Sequence, residues 1–184
     1  MFQRLLAKIA AALDRVGIAY MVIGGQAVLL YGDPRLTKDI DITLGVGIDG
    51  MHTIQEVAQM IPLALLVNDP DSFVRDTMVL PTRDETSGIR VDFIFSSSGY
   101  ERQAIERAVN VELEQVPVRF ASLEDVVIHK IVAGRQRDIE DVKHMLLKNP
   151  DCDSDYVESW LDGFDKSLNE DFLETFRNLV ETLK

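Results

Sequence analysis

The chain has a single cysteine, three histidines, no long apolar run and far fewer bases than acids. Each shortage removes a class of function. One thiol, Cys152, excludes an internal disulfide and any cysteine-rich zinc site. His52, His129 and His144 are isolated, without H-x-x-x-H spacing, so no histidine metal site is expected. Ser96 to Ser98 carries no nucleophile-elbow motif, which argues against serine-hydrolase chemistry. No segment approaches the roughly 20 apolar residues that span a bilayer. The opening M-F-Q-R-L-L-A-K-I-A-A-A-L is interrupted by charge, so it reads as an amphipathic helix and not as a signal peptide. A soluble, cytoplasmic protein without a membrane partner is expected. With 19 basic against 31 acidic residues, the net charge of −12 counts against a wholesale nucleic-acid binder. The imbalance is uneven: Pro150 to Lys184 holds ten acids and three bases, which leaves room for a basic groove elsewhere.

What is present suffices for a folded core: 184 residues, 46% of them hydrophobic, fit one domain or a domain with a small extension. Phe2, Leu5, Ile9, Leu13 and Val16 recur at helical spacing, and Gly17 stops that helix. Ile18 to Ile23 predicts a strand buried on both faces, broken by Gly24-Gly25, with a short helix over Gln26 to Tyr31. Ile40 to Leu44 predicts the next strand, with Asp39, Asp41 and Thr43 on one face and Ile40, Ile42 and Leu44 on the other. A helix over Met51 to Met60 follows. Leu63 to Val67 and Phe73 to Leu80 read as strands joined by the turn N-D-P-D-S, and Pro81 to Gly88 as a polar loop. Ile89 to Phe95 alternates, which puts Arg90 and Asp92 on one face. Tyr100 to Ala108 predicts a helix, and Val109 to Phe120 one or two short strands. Ser122 with Asp125 three residues on resembles a capping box and starts a helix that ends at Gly134. Another follows with Ile139, Val142, Met145 and Leu146 inward, then two more over Tyr156 to Phe164 and Glu170 to Leu183.

The chemistry concentrates in Tyr20 to Leu44. Asp39 and Asp41 sit two apart on a strand, so both point to one face, where two like charges repel. A divalent cation relieves that repulsion, and hard oxygen ligands suit Mg²⁺ together with substrate phosphates. Asp92 adds a third carboxylate from a second strand, enough to hold two metals. A solvated strand face paired with lysine or arginine accounts for an isolated D-x-D equally well. Three neighbours tip the balance: Gly24-Gly25 lets backbone approach a phosphate, the helix after it offers free N–H groups, and Arg35 and Lys38 add positive charge just before the aspartates.

Taken together, G-G-Q-A, R-L-T-K-D-I-D-I and R-V-D-F-I-F resemble the nucleotidyltransferase superfamily related to DNA polymerase beta. The nearest branch is that of the short bacterial proteins related to AbiEii-type toxins, where T-K-D-I-D is common. The resemblance implies an α+β fold: a mixed-sheet nucleotidyltransferase core over 1–120, flanked by helices, with a C-terminal helical region over 121–184 packed on it. It implies that Gly24 and Gly25 contact a nucleoside triphosphate. Asp39, Asp41 and Asp92 would ligate Mg²⁺ (two ions, with Mn²⁺ as a substitute), and Asp92 would help deprotonate the attacking hydroxyl. Lys130 and Arg135 would face the phosphates, with Asp138 and Asp141 orienting these cations. The reaction implied is transfer of a nucleoside monophosphate to a hydroxyl acceptor on a tRNA 3′ end, a protein or a small molecule. A toxin would have a basic antitoxin as partner for the acidic tail. One departure is Gln26 after Gly-Gly, in a turn where Gly-Ser is common, so a serine hydroxyl for phosphate is missing. Two other readings compete: a catalytically inactive nucleotide-binding or partner-binding module on the same fold, and a D-x-D glycosyltransferase, for which the strands after Asp41 are too few.

Overall fold

A computed structural model describes residues 1–96 and 98–183. Ser97, in the run Ser96 to Ser98, and Lys184, the last residue of the expected helical region, lie outside them. The chain divides into two compact units, one of 1–26 and 36–121, the other of 27–35 and 122–184. The segment 27–35, read from sequence as part of the core, belongs with the C-terminal helices instead.

The first unit is built on a seven-stranded mixed sheet: β1 (Tyr20–Ile23), β2 (Asp39–Leu44), β3 (Leu63–Leu65), β4 (Val79–Asp84), β5 (Arg90–Phe95), β6 (Val109–Leu113) and β7 (Val116–Phe120). Their spatial order is β3-β4-β5-β2-β1-β7-β6. β2 pairs antiparallel with β1 and parallel with β5, and so lies mid-sheet. The alternation expected of β2 and β5 holds. Ile40, Ile42, Leu44, Val91 and Phe93 are fully buried on one face, each contributing roughly 1.5–3 kcal/mol of transfer free energy relative to exposure. All four residues of β1 are buried, as a strand covered on both faces requires. Helix α1 (Phe2–Arg15) lays Leu5, Leu6, Ile9 and Leu13 inward and packs on β6, β7 and α3 (Met51–Met60).

The stretch 70–84 departs from expectation. Phe73 to Leu80 was expected as a strand, but Pro70–Thr77 is a helix, α4, and the supposed loop over Pro81 to Gly88 begins as the second half of β4. The reason is local. In N-D-P-D-S, Asp69 caps the helix by accepting a hydrogen bond from the Ser72 N–H at 3.1 Å. Pro70 stands at the first helical turn, where its missing N–H costs nothing. Pro81 stands inside β4, where its carbonyl accepts from the Leu66 N–H at 3.0 Å, just past the short β3. Helix α5 (Gly99–Glu106) and the β6–β7 hairpin complete the unit, the hairpin turning through Glu114 and Gln115 at φ of 52° and 64°.

In the second unit, α6 (Leu123–Ala133) starts at Ser122 as expected: the Asp125 N–H donates to the serine Oγ at 3.2 Å, and that hydroxyl donates to the Asp125 carboxylate at 2.7 Å. Helices α7 (Gln136–Lys148), α8 (Ser154–Leu168) and α9 (Phe172–Thr182) follow. Val142, Met145, Val157, Leu161, Phe176 and Leu179 form their shared interior. No described helix is long and apolar enough to cross a membrane.

Candidate functional site

The parallel pairing of β2 with β5 sets Asp39 beside Arg90 and Asp41 beside Asp92. Because residues two apart on a strand share a face, all four side chains project from the same side of the sheet, opposite the buried Ile40–Phe93 face. Three carboxylates and the Arg90 guanidinium therefore share this face, and Arg83, level with Arg90 on β4, adds a second guanidinium. The Asp92 side chain is 14% exposed and that of Arg90 50% exposed. Arg90 Nε donates to Asp92 Oδ1 at 2.8 Å. That bond, and beyond it the charges of Asp92, Asp39 and Asp41, hold the guanidinium above the ordinary arginine range.

Two further residues shape the patch. The Thr37 hydroxyl donates at 3.3 Å to the Asp39 side chain, and lies equally close to the Asp39 carbonyl. It thereby anchors the first carboxylate from just outside the strand. Sequence reading passed over Thr37, although a hydroxyl two residues before an aspartate is a recognisable local bonding pattern. Gly24 is the second. The glycines do not stand before the short helix; they form its first turn, in α2 (Gly24–Tyr31). Gly24 adopts φ +64°, and a Cβ there would lie 2.1 Å from Asp41 Oδ2. Only the bare backbone of glycine allows Asp41 to come this close to the helix start. In the same turn, Gln26 is buried with its Nε2 lacking a hydrogen-bond partner.

These features bear on whether a divalent cation fits. The oxygen donors are right in kind, three carboxylates on one face; the Gln26 amide and the first-turn N–H groups of α2 suit a phosphate and not the cation. Among the described residues, however, no group of three or more His, Cys, Asp or Glu is gathered tightly enough to hold a metal ion. The carboxylates lie in register but spread, and an arginine holds one of them.

The remaining candidates fall in two places. Lys38 is exposed on the approach to β2. Arg35, Lys130 and Arg135 belong to the second unit. Lys130 is only 9% exposed; it bonds Asp138, and its Nζ lies 3.0 Å from Asp141 Oδ2. Arg35 Nε lies 3.1 Å from Asp141 Oδ1. Asp138 and Asp141, themselves buried, thus face Lys130 and Arg35 rather than the expected pair of Lys130 and Arg135. Arg135 is exposed at the residue before α7. Sequence reading did not foresee that Arg35 would join this network.

Comparison with known proteins follows the fold. The sequence model of a family described as nucleotidyltransferase of unknown function (DUF6036) matches residues 93–182, just under half of the chain. The match starts immediately after Asp92 and leaves out β2. Comparison with curated proteins finds no match. Among solved structures, an antigenic nucleotidyltransferase-like protein from Paracoccidioides brasiliensis is 20% identical over 78% of this chain and 74% of its own, with a TM-score of 0.55. ANT(2″)-Ia, in complex with adenylyl-2″-tobramycin, is 16% identical over 90% of this chain and 98% of its own, with a TM-score of 0.60. The lincosamide antibiotic adenylyltransferase LnuA, lincomycin-bound, is 16% identical over 77% and 94%, with a TM-score of 0.54. At such identities the likeness is one of fold, and the chain has a nucleotidyltransferase fold.

Proposed function

We propose that this chain is a divalent-metal-dependent nucleotidyltransferase that moves a nucleoside monophosphate from a nucleoside triphosphate to a hydroxyl acceptor. The observation that carries the reading is the register of β2 with β5, which sets Asp41 beside Asp92 and places Asp39 on the same face. The reading rests on residues of the first unit alone. Asp39, Asp41 and Asp92 would hold Mg²⁺ or Mn²⁺, which when bound neutralises phosphate charge and lowers the pKa of a coordinated hydroxyl. Asp92 takes the proton of the acceptor hydroxyl as its oxygen attacks the α-phosphorus. The bond from that phosphorus to the bridging oxygen breaks, and pyrophosphate leaves. Gly24 and Gly25 lend backbone N–H groups to the phosphates at the start of α2, in place of the absent serine hydroxyl. Thr37 keeps Asp39 in place. Positioning and charge neutralisation carry most of the work in phosphoryl transfer.

A small-molecule hydroxyl is the acceptor we favour. Two proteins of the same fold are described by their antibiotic ligands or products, adenylyl-2″-tobramycin and lincomycin. The acidity of 150–184 would repel a long RNA. The same acidity would suit a basic protein partner if the chain acts as a toxin.

The test is incubation of purified protein with labelled triphosphates and Mg²⁺, in the presence of a metabolite extract, total RNA or cell protein. A labelled species that disappears with Asp41→Asn, at unchanged melting temperature, supports the reading. Absence of both nucleotide and Mg²⁺ binding would sink it. A second reading, a binding module without turnover, is favoured by the spread of the carboxylates and the bond from Arg90 to Asp92. It predicts nucleotide binding with no pyrophosphate released.

A further inference from the structure

We propose that the groove between the end of α7, the α7–α8 turn and the end of α9 is a docking site for a basic amphipathic helix of another protein. The inference stands on the second unit alone and does not depend on the reaction proposed above. It gives the acidity of 150–184 a place to act.

Leu146, Leu147, Pro150, Cys152, Val180 and Leu183 line a hollow of about 260 Å³. Drug-sized ligands occupy roughly 300–1,000 Å³, so this hollow better suits the anchoring side chains of a docked helix. The fold leaves it uncovered. Val142, Met145 and Phe176 turn into the interior and are fully buried, whereas Leu147 is 60% exposed. Its walls are held in place. Asn149 Nδ2 donates to the Met145 carbonyl at 2.8 Å and to the Tyr31 carbonyl at 2.9 Å. The Asp153 carboxylate fixes the start of α8 by accepting from the Tyr156 N–H at 3.1 Å. A groove already ordered costs a partner less to enter.

Charge identifies the occupant. Asp151 and Asp153, both exposed, alternate with the lining residues Pro150, Cys152 and Ser154, and exposed Glu181 follows the lining residue Val180. The Asp153 N–H donates to Glu124 Oε1 at 3.3 Å, which brings a further carboxylate to this edge. Burial, and then the charges of Glu124 and Asp153, push the Cys152 thiol up to about 12, so the hollow sits in a negative field. The described bases of α7 and the tail that come nearest in sequence are engaged. Lys148 and His144 face Asp33, and Lys143 faces Glu140. Lys166 faces Asp162, and Arg177 faces Glu158. A second copy of the chain would bring the same acids against this rim and be repelled, as would RNA or an anionic membrane. A helix with bases beside an apolar stripe meets both features: its anchors enter the hollow at helical spacing, and its bases face the rim.

The experiment uses the full chain and a synthetic peptide of about 18 residues, with leucines at i, i+3, i+4 and i+7 and lysines and alanines elsewhere. Two control peptides carry glutamate for each lysine, or serine for each leucine. Fluorescence anisotropy reads binding, and the rate of alkylation of Cys152, the single thiol, reads whether the groove is covered. The lysine peptide should bind, more weakly as salt rises, and should slow the alkylation. Both controls should bind at least about tenfold more weakly, on the scale of one buried anchor. Leu147→Ser should weaken the lysine peptide about tenfold for the same reason, and circular dichroism should show it folded, as expected at an exposed position. Asp151→Lys combined with Glu181→Lys should weaken binding and flatten its salt dependence. General attraction of a basic peptide to an acidic protein would need neither Leu147 nor contact near Cys152. If Leu147→Ser binds the lysine peptide as the natural protein does, or if the peptide leaves the alkylation rate unchanged, the docking site is overturned. Equal binding of the glutamate peptide overturns the basic partner. A dimer in sedimentation that Leu147→Ser dissociates assigns the groove to a second copy and overturns the proposal as well. No nucleotide enters the experiment, so its failure is separate from failure of the proposed reaction.

Discussion

Asp39, Asp41 and Asp92 stand on a partly exposed sheet face with Arg90 and Arg83, whereas Asp138 and Asp141 are buried in a helical unit against Lys130 and Arg35. Both clusters gather aspartates, and the physics of each is opposite. In the helical unit two carboxylates meet two cations, so the charges cancel and the group can be buried. On the sheet three carboxylates meet two arginines, Arg90 and, level with it on β4, Arg83. The excess negative charge is sustainable because water still reaches the face, and it leaves an affinity for added positive charge. The balanced group fits a structural network, and the unbalanced one fits the proposed site.

This contrast can be broken by experiment. The largest effect is expected at Lys130. Its replacement by methionine leaves Asp138 and Asp141 buried with only Arg35 opposite, which should destabilise the protein by about 3–5 kcal/mol in chemical denaturation. Combining it with Asp138→Asn should recover part of that loss, because one of the stranded charges goes too. If Lys130→Met melts like the natural protein, the network is not structural and the contrast fails.

Asp92→Asn should do the reverse. Nucleotide transfer should fall by about 100-fold or more, the scale seen when a preorganised charge at a reacting centre is removed. Stability should change by no more than about 1 kcal/mol, since only a half-exposed pair with Arg90 is lost. A large loss of stability together with activity would move this patch into the structural class.

Gly24→Ala probes the boundary between the two kinds of effect. The positive φ costs about 1–2 kcal/mol for a residue with a Cβ, and that Cβ collides with the Asp41 carboxylate. A stability loss of that size should accompany weaker Mn²⁺ binding, as Asp41 is pushed aside. Unchanged Mn²⁺ binding would show that Asp41 is not held by the glycine.

The smallest effect is expected in alkali. Burial, the largest cause, pushes the Tyr20 hydroxyl from 10.0 up to about 12, partly opposed by the hydrogen bond it accepts from the Arg119 N–H. A raised folded pKa favours the neutral phenol in the native state, so its contribution is complete below the unfolded value. It declines from about pH 10 and is lost by about pH 12. Stability followed over that range should fall less steeply in Tyr20→Phe than in the natural protein. Equal slopes would mean that another group governs the alkaline limb. Tyr31 and Cys152, whose burial also pushes them up to about 12, contribute to the same limb, so a slope remains in Tyr20→Phe.

Much of the molecule was legible in the chain. The alternation of Asp39 to Leu44 and of Ile89 to Phe95 gave the right faces, because a strand's period of two is fixed by backbone geometry. The Ser122 cap and the α1 stripe were readable for the same reason: their causes lie within a few residues. Residues 70–84 were misread because β-forming side chains such as Phe73 and Val74 outweighed, in the reading, a capping aspartate and a first-turn proline that decide the backbone locally. The ion pair of Arg35 with Asp141 was not legible, since more than a hundred positions separate the two residues and no local pattern ties them.

The sequence by itself determined which residues carry charge, which strand faces carry it, and that Asp39 and Asp41 share one. Those follow from short-range periodicity and composition. Only the tertiary structure decided that β5 pairs parallel with β2 so that Asp92 comes level with Asp41, that Gly24 folds back against that carboxylate, and that Arg90 fills the remaining corner of the face. Strand register and long-range ion pairs depend on which hydrophobic surfaces are buried together, and that is set by the whole chain at once.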